Sequence, residues 1–262
     1  PEAPNSPEGG TRGLKLQANL SSAVFGGVSV SPIDPGLPEE YLLLFDWWAN
    51  TVGPFPAGGT GSTNLSTFGV GTNGTSAQWP GGSQNSVWFA ATGDGGSTAD
   101  WRAYAQAGTV GGFQDGDPVF LGVPTRNSTQ PAYASFGAVS PPEAQTALYP
   151  NQTGVTQVGS SAFEWHRVEI LKKLDRVTWT VDGIKIAEVG MEGRNLAGTN
   201  IFFGHSDINE GSSADENDAL LIFTLIDNVR VEPPPVSEEA PQVVEVALED
   251  GKVRIGVIGS LG

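Results

Sequence analysis

The chain has 262 residues, among them 36 glycines and 19 prolines, and only 16% of its residues are charged. Many turn formers and few charges favour short strands joined by turns, and seven Trp and 12 Phe supply apolar volume for a core, which argues against disorder. The formal net charge of −16 argues against a nucleic-acid partner, because phosphate recognition needs a basic face. No apolar run reaches the roughly 18 residues that a membrane-spanning helix needs.

The N-terminal part of the chain begins with residues 1–13, a segment rich in Pro, Gly and Glu that is typical of a tail. Residues 14–30 alternate loosely between apolar and polar side chains and predict one or two strands. Residues 41–48 have the sequence YLLLFDWW, a dense apolar run whose length predicts a buried central strand rather than a helix. Asp46 lies inside this run and needs a polar partner or a solvent-facing side.

The middle of the chain contains several shorter predicted elements. Strands are predicted at residues 67–70, 76–79, 86–92, 100–107 and 154–159, with a short helix as the alternative for residues 100–107. In the fourth of these, Trp101 and Ala103 share one face, and Arg102 and Tyr104 share the other. Two prolines followed by Glu143 predict a single helical turn, since Pro is favoured at the start of a helix and an acidic side chain is favoured in its first turn.

Residues 164–189 carry the clearest pattern, EWHRVEILKKLDRVTWTVDGIKIAEV. Apolar and polar side chains alternate, with His166 and Ile170 on the apolar face, which predicts antiparallel strands with one buried side. The dipeptide Asp182-Gly183 favours a type I′ turn between the second and third strands of this segment.

Three motifs in the second half of the chain carry a family resemblance. The motif W-x-x-V-x-I begins at Trp165, V-x-W-x-V-D-G-x-x-I begins at Val177, and LIDNVRV occupies residues 225–231. They resemble the central hairpin and the closing strand of concanavalin-A-like, laminin-G-like jelly rolls. Residues 41–231 are more narrowly similar to uncharacterised domains of large secreted bacterial surface proteins. The resemblance implies an all-β, antiparallel two-sheet jelly-roll sandwich over residues 14–232 with extended N- and C-terminal tails. This fold hosts lectins, glycosidases, lyases and adhesive modules alike.

The C-terminal part continues with a predicted strand at residues 200–204 and a long closing strand at residues 219–231. A Pro-rich linker follows at residues 233–241. Residues 242–262 contain two alternating runs around a Glu-Asp-Gly-Lys turn and predict a β-hairpin. This segment either opens another β module or is a tail that pairs with other strands.

The sequence shows none of the catalytic motifs expected of a glycosidase or an acyl-transfer enzyme. Glycosidases of this fold need two carboxylates that share a cleft, whereas Glu164 and Glu169 fall on opposite strand faces. His166 lies on the inward face of its strand and is interpreted as a structural histidine. The chain contains neither cysteine nor G-x-S-x-G, the patterns of acyl-transfer nucleophiles. The sequence therefore predicts a protein that is not an enzyme, with a glycoside hydrolase or lyase as the less favoured alternative.

An acidic loop before the closing strand is the candidate metal site. Hard oxygen ligands at alternating positions suit Ca²⁺, the one cofactor that the sequence suggests. The candidate ligands are Asp207, Asn209, Asp215 and Asp218. Their spacing does not match an EF-hand, and a hydrated acidic loop without a metal is the alternative interpretation.

Aromatic residues in Gly-, Ser- and Asn-rich surroundings are the candidates for sugar binding, because an exposed ring stacks on the C–H face of a sugar while polar neighbours bind its hydroxyls. These candidates are Trp79, Trp88, Trp101 and Tyr104. Burial of Trp88 or its neighbours in the core is the alternative. A second set is assigned to the core outright and consists of Trp47, Trp165 and Trp179.

Five N-x-S/T sequons predict exposed loops if the chain passes through a glycosylating pathway, and chance occurrence is the alternative. The acceptor residues are Asn19, Asn64, Asn73, Asn127 and Asn151. Each acceptor that is used would have to lie on the surface of the folded domain.

These observations predict an extracellular or cell-surface module with an adhesive or structural role, with glycan binding as its activity. Its partners would be glycans or an extracellular matrix polymer. The alternative is a subunit of a filament or surface assembly in which residues 242–262 pair with other copies, since an exposed sheet edge accepts an added strand. A glycan-binding module needs an exposed aromatic ring beside convergent polar groups, whereas an assembly subunit needs tails that pair between chains.

Overall fold

The computed structural model describes residues 3–10, 12–18, 25–59, 63–83, 85–105, 112–194, 196–208, 220–235, 242–249 and 252–258. Within these ranges the regular secondary structure is almost entirely β-strand. The strands are β1 (Leu14–Leu16), β2 (Gly26–Val30), β3 (Tyr41–Asn50), β4 (Asn64–Thr72), β5 (Val87–Thr92), β6 (Trp101–Ala105), β7 (Trp165–Lys173), β8 (Arg176–Val181), β9 (Ile184–Gly190), β10 (Asn200–Asp207), β11 (Phe223–Glu232), β12 (Gln242–Glu249) and β13 (Lys252–Ile258). The helical elements are the 3₁₀ turns Pro118–Phe120 and Pro131–Tyr133 and the short helix α1 (Glu143–Thr146). None of the helices in these ranges is long and apolar enough to cross a membrane.

Two antiparallel sheets pack face to face. The six-stranded sheet has the order β1-β11-β3-β7-β8-β9, and the five-stranded sheet has the order β2-β10-β4-β5-β6. The first strands of the chain pair with the last ones of the sandwich, since β1 lies beside β11 and β2 lies beside β10. This architecture confirms the predicted all-β, two-sheet jelly-roll sandwich.

Strands β7, β8 and β9 form the meander that the sequence predicts. The backbone φ angles of Asp182 and Gly183 are 48° and 79°, and a type I′ turn requires positive φ at both positions. In β7 the side chains of His166, Val168 and Ile170 are buried, while the alternating residues between them are partly exposed. The predicted turn and the predicted face of this hairpin are confirmed.

Trp179 on β8 lies at the centre of the contact between the two sheets. Its ring centroid is 5.6 Å from that of Phe68, 5.0 Å from that of Phe89 and 5.5 Å from that of Trp101, all on the five-stranded sheet. Aromatic pairs at such separations contribute about 0.5–1.5 kcal/mol each beyond the burial of their surface. Trp179 and Trp47 are both fully buried, which confirms their assignment to the core.

The structure places Trp165 outside the core to which the sequence analysis assigned it. It precedes His166 in the chain, so its side chain points to the opposite face of the strand and away from the five-stranded sheet. On that outer face it packs against its cross-strand neighbour Trp48, with ring centroids 5.8 Å apart, and it stays partly exposed. The assignment of Trp165 to the core is therefore wrong.

Two predicted strands are also wrong. Residues 154–159 form a loop with turns, in which Gly154 and Gly159 have φ angles of 85° and 89°. Such left-handed backbone conformations do not occur in a regular strand. In residues 76–79 only Gln78 makes an isolated bridge. The predicted helical turn is confirmed as α1.

Residues 3–10 belong to the predicted N-terminal tail and lie along the outer face of the six-stranded sheet. The hydroxyl of Ser6 donates a hydrogen bond of 2.7 Å to the carboxylate of Asp227, and the indole N–H of Trp165 donates one of 2.9 Å to the carbonyl of Pro4. These contacts hold the segment against the sandwich before the chain enters β1.

Strands β12 and β13 pair with each other as an antiparallel hairpin, as the alternation of the C-terminal segment predicts. They form a two-stranded sheet of their own. Pairing of this hairpin between copies of the chain is a separate hypothesis and stays a prediction.

His205 lies on the inner face of β10 and is fully buried. Its Nδ1 is 2.9 Å from the hydroxyl oxygen of Thr224 on the facing sheet. Burial lowers the pKa of His205 from the ordinary 6.5 to about 3, because the charged imidazolium loses its hydration. The native state therefore keeps a neutral imidazole at pH values at which an unfolded chain protonates it.

We expect the free energy of unfolding to decrease as the pH falls from 6.5 towards 3, because the unfolded state binds a proton that the native state excludes. This one group contributes a slope of at most about 1.4 kcal/mol per pH unit. Urea unfolding across this range measures the slope for the wild type and for His205→Gln, in which the slope should become shallower. Equal slopes in the two proteins would show that His205 is protonated in the native state.

Candidate functional site

The outer face of the five-stranded sheet, which points away from the six-stranded sheet, gathers most of the sequence candidates. Its side chains alternate with Phe68, Phe89 and Phe203, which point into the core. In sheet order from β2 to β6, the residues of this outer face are Gly27, Ser29, Phe202, Gly204, Ser206, Leu65, Thr67, Gly69, Trp88, Ala90, Arg102 and Tyr104. The face thus combines glycines, hydroxyl groups, aromatic rings and one guanidinium.

Trp88 and Tyr104 form the aromatic centre of this face. They are directly opposite each other on β5 and β6, and their rings stack with centroids 3.7 Å apart and an interplanar angle of 2°. Gly69 lies beside Trp88 on β4, where any Cβ would collide with the Trp88 side chain. Phe202 packs edge-on against Trp88 with a centroid separation of 6.5 Å. The absence of a side chain at Gly69 therefore leaves room for Trp88 on the neighbouring strand.

Trp79 lies at the β2 end of the same outer face and is partly exposed. Its ring covers Gly27, where a Cβ would overlap the indole. The backbone N–H of the preceding residue, Gln78, donates a hydrogen bond of 3.1 Å to the hydroxyl of Ser29 on β2. The loop that follows β4 is thereby fastened to the sheet edge, and Trp79 joins the face that carries Trp88.

Three of the four sequence candidates for sugar binding therefore share one face, and Trp101 does not. Trp101 alternates with Tyr104 along β6 and points into the core, where its ring stacks on Tyr133 with centroids 5.2 Å apart. Its indole N–H donates to the carbonyl of Gly159. The expectation of exposed rings is also wrong for Trp88 and Tyr104, which are 0% and 1% exposed.

Four polar atoms on this face are buried without a hydrogen-bond partner among the described residues. They are Trp88 Nε1, Tyr104 Oη, Thr67 Oγ1 and Ser206 Oγ. A buried donor or acceptor that lacks a partner costs about 1–3 kcal/mol, and most buried polar groups in proteins are paired. These four atoms therefore carry a desolvation cost in the free protein.

Arg102 is the charged side chain of this face and is 8% exposed. Within the described part of the chain it donates from Nε to the carbonyl of Ala99 and from Nη2 to the hydroxyl of Ser97, which are both neutral acceptors. A guanidinium has five N–H donors in a planar fork. Arg102 thus adds donor capacity to a face that already holds four polar atoms without partners.

Asp100 anchors the loop that holds Arg102. Its carboxylate accepts hydrogen bonds from the Thr92 hydroxyl at 2.6 Å, from the Ser97 backbone N–H at 3.0 Å and from the Ser128 backbone N–H at 2.8 Å. Burial raises the pKa of Asp100, and these hydrogen bonds act in the opposite direction. Asp100 therefore fixes the position of Ser97, the hydroxyl that receives the Arg102 guanidinium.

The structure contradicts the prediction that Asn64 is a glycosylation acceptor on an exposed loop. It lies in β4 with 2% exposure, and its side-chain amide reaches the hydroxyl of Thr51 at 3.4 Å, so it is inaccessible in the folded domain. Asn73 and Asn151 are exposed, and Asn127 is partly exposed. Asn19 lies outside the described residues.

Of the four predicted calcium ligands, only Asp207 lies within the described residues. It is buried at the end of β10. The other three candidates, Asn209, Asp215 and Asp218, lie outside the described ranges. Within those ranges no group of three or more His, Cys, Asp or Glu side chains could hold a metal ion. The calcium site stays a prediction.

His166 is placed as the sequence predicts, buried on the inner face of β7. Its Nδ1 is 2.7 Å from the Asp182 carboxylate, and its Nε2 is 3.1 Å from the carbonyl oxygen of Ser161. Asp182 also accepts the backbone N–H of Arg167, so the carboxylate joins the start of β7 to the turn after β8. These hydrogen bonds connect the loop at Ser161, the start of β7 and the turn between β8 and β9.

No family model matches this chain, and no curated protein sequence matches it. The fold is similar to several solved structures. The carbohydrate recognition domain of Emp47p is 11% identical with a TM-score of 0.44, over 89% of this chain and 93% of that one. The galectin LEC-6 of Caenorhabditis elegans is 8% identical with a TM-score of 0.35, over 83% and 95%. An alginate lyase from Corynebacterium sp. is 7% identical with a TM-score of 0.36, over 78% and 61%. Similarities at this level transfer neither a ligand nor a site residue to this chain.

We expect Thr67→Val to raise the free energy of unfolding by about 1 kcal/mol, because it removes a buried hydroxyl that lacks a partner. Ser66→Ala is the matched comparison. The Ser66 hydroxyl points to the inner side and lies 2.7 Å from the Thr224 hydroxyl, so its loss should destabilise by a similar amount. Urea unfolding measures both. Destabilisation of the two variants to the same extent would mean that the Thr67 hydroxyl is paired in the folded protein.

Proposed function

We propose that the outer face of the five-stranded sheet binds a carbohydrate. The observation that carries this proposal is the set of four buried polar atoms without partners beside the stacked rings of Trp88 and Tyr104. Sugar hydroxyls both donate and accept hydrogen bonds, and they lie close to apolar C–H groups. A glycan therefore matches a face on which polar atoms and aromatic rings alternate.

Each polar group of this face has a defined capacity to donate or accept hydrogen bonds from a ligand. The indole N–H of Trp88 donates only, whereas the hydroxyls of Tyr104, Thr67 and Ser206 donate and accept. Arg102 donates from a fixed planar fork and suits the paired oxygens of a sugar ring. Pairing these groups with a ligand removes their desolvation cost, so part of the binding free energy comes from relief of an unfavourable state of the free protein.

Access to the face involves a rearrangement, because Trp88 and Tyr104 are not exposed. Gly112 contacts the Tyr104 ring, and Ile208 packs against the cluster around Trp88. Trp79 is partly exposed at the margin of the face and is the ring that a ligand meets first. Association should therefore be slower than for an open cleft, since binding that requires a conformational change lowers the association rate.

The outer face favours carbohydrate binding without catalysis. Glycoside hydrolysis uses two carboxyl groups on either side of the scissile bond. The outer-face positions of β2, β4, β5, β6 and β10 contain neither Asp nor Glu. A face with donors, hydroxyls and aromatic rings, but no carboxylate pair, supports recognition rather than cleavage.

In this proposal the chain is an adhesive or structural module outside the cell, and its partner is a glycan or a matrix polymer. The sequence resemblance of residues 41–231 to domains of secreted surface proteins supports this location. The competing proposal of an assembly subunit is supported by the hairpin β12–β13, which forms a sheet of its own.

We expect Tyr104→Phe to weaken glycan binding by about fivefold to tenfold, the value of one hydrogen bond, without lowering stability. Thr67→Val should act in the same way, and the double variant should lose more than either single one. Binding is measured by calorimetry with soluble β-glucan, mannan and galactan as probes. Absence of binding to all three polysaccharides would overturn the proposal.

Tyr133→Phe is the matched control for this experiment. Tyr133 is also a buried tyrosine whose hydroxyl lacks a partner among the described residues, but it stacks on Trp101 on the inner side. The same chemical change at Tyr133 should leave affinity unaltered. Equal losses for Tyr104→Phe and Tyr133→Phe would locate the binding site elsewhere.

A further inference from the structure

A cavity with an aromatic wall lies on the opposite side of the sandwich, on the outer face of the six-stranded sheet. It has a volume of about 180 Å³ and is formed where residues 3–6 and the approach to β1 cross β7 and β11. Its lining residues include Trp165, Leu225, Asp227, Asn5, Ser6 and Arg12. Trp165 is partly exposed, so an aromatic ring is accessible here without rearrangement of the fold.

The ring of Trp165 is held in place from two sides. Its indole N–H donates to the carbonyl of Pro4 at 2.9 Å, and its ring packs against Trp48 at a centroid separation of 5.8 Å. An aromatic platform for a ligand needs a fixed plane, because a ring that rotates freely loses entropy when it is immobilised. The contacts of Trp165 remove that loss before binding.

The carboxylate of Asp227 is oriented by an irregularity in β11. The register between β11 and β3 shifts between Asp227 and Arg230, and Asn228 has a positive φ angle of 50°. The Asp227 carboxylate accepts the Ser6 hydroxyl at 2.7 Å and the Asn228 backbone N–H at 2.8 Å. Bulges with a left-handed residue redirect side chains and are over-represented beside functional sites.

The N-terminal segment is fitted closely to this carboxylate. A Cβ at Gly10 would lie 2.7 Å from Asp227 Oδ2 and 3.0 Å from Ser6 Oγ, so a larger residue would displace the segment from the cavity wall. Glycine here allows the backbone to approach a polar group closely. The cavity is thus a product of specific local geometry and not of loose packing at a chain end.

The chemistry of the cavity combines one ring face, one carboxylate acceptor, one guanidinium and one carboxamide. A neutral sugar unit uses all four, because its C–H face stacks on the indole while its hydroxyls donate to Asp227, accept from Arg12 and hydrogen-bond the carboxamide of Asn5. A quaternary ammonium ligand fits less well, since it needs several ring faces and would be repelled by Arg12. A volume of about 180 Å³ corresponds to about six water molecules, close to the size of one pyranose ring.

We propose that this cavity is a second carbohydrate site, which takes a single neutral pyranose unit. Together with the outer face of the five-stranded sheet it makes the module bivalent, and this bivalency rests on the proposed function of that first face. Sites on opposite outer faces of a sandwich cannot bind the same short glycan. They connect two separate glycan chains and increase the avidity for a polymer without new contacts.

The test uses the indole N–H signals of the full chain in ¹⁵N nuclear magnetic resonance spectra. The probes are the methyl glycosides of glucose, galactose and mannose, and the Trp165 signal is identified by its loss in Trp165→Phe. We expect one of these glycosides to shift the Trp165 signal in a saturable manner. We expect Asp227→Asn to weaken that binding by about tenfold, since a charged acceptor of sugar hydroxyls is lost. No shift with any of the three glycosides would overturn the proposal.

Glu169→Gln is the matched control, because it removes a carboxylate from the same outer face at a distance from the cavity. It should leave the Trp165 titration unchanged, and an equal effect of Asp227→Asn and Glu169→Gln would also overturn the proposal. The Trp88 signal reports the first face separately, so failure at either face is seen without reference to the other. Cross-linking of polysaccharide-coated beads should be lost in Trp165→Ala while the affinity of the first face remains.

Discussion

The contact of Trp179 with the aromatic side chains of the five-stranded sheet is the constraint on which the architecture depends. Three rings of that sheet surround it, so β8 cannot shift by one residue without moving every inward side chain to the outside. The same register fixes which residues face outward. The positions of Tyr104 on one face and Trp165 on the other are therefore set by packing between the sheets and not by their own surroundings.

The outer faces of strands in the two sheets differ in burial. In β7 the buried and partly exposed residues alternate, as expected for a sheet with one solvated side. In β4 every residue is buried, and the same is true of β5. Strands β4 and β5 are thus covered on both sides, which is why their outer face can hold polar atoms away from water. The outer face of β4 and β5 is thus buried, whereas the Trp165 side chain is partly exposed.

The sequence predicted the fold class, the central meander and the separation of Trp101 from Tyr104 along β6, because alternation determines which side chains share a face. It could not decide which face was inward. The uninterrupted apolar run VWFAA in β5 was the available sign that both faces are buried. The buried hydroxyls of Thr67 and Ser206 could not be recognised in advance, since a hydroxyl without a partner has no signature in the sequence. Trp165 was wrongly assigned to the core, although its alternation with the inward-facing His166 places it on the outer face.

The pairing of the first strands with the last ones has a consequence for how the chain acquires its structure during synthesis. Leu14 pairs with Ile226, and the hydrogen bond from Ser6 to Asp227 spans 221 positions. At roughly 5–20 residues per second on the ribosome, about 10–40 s separate the appearance of these partners. During that interval β1 and β2 have no strand to pair with, and loop closure over such a length delays folding further. The sandwich is therefore completed only after β11 has been synthesised.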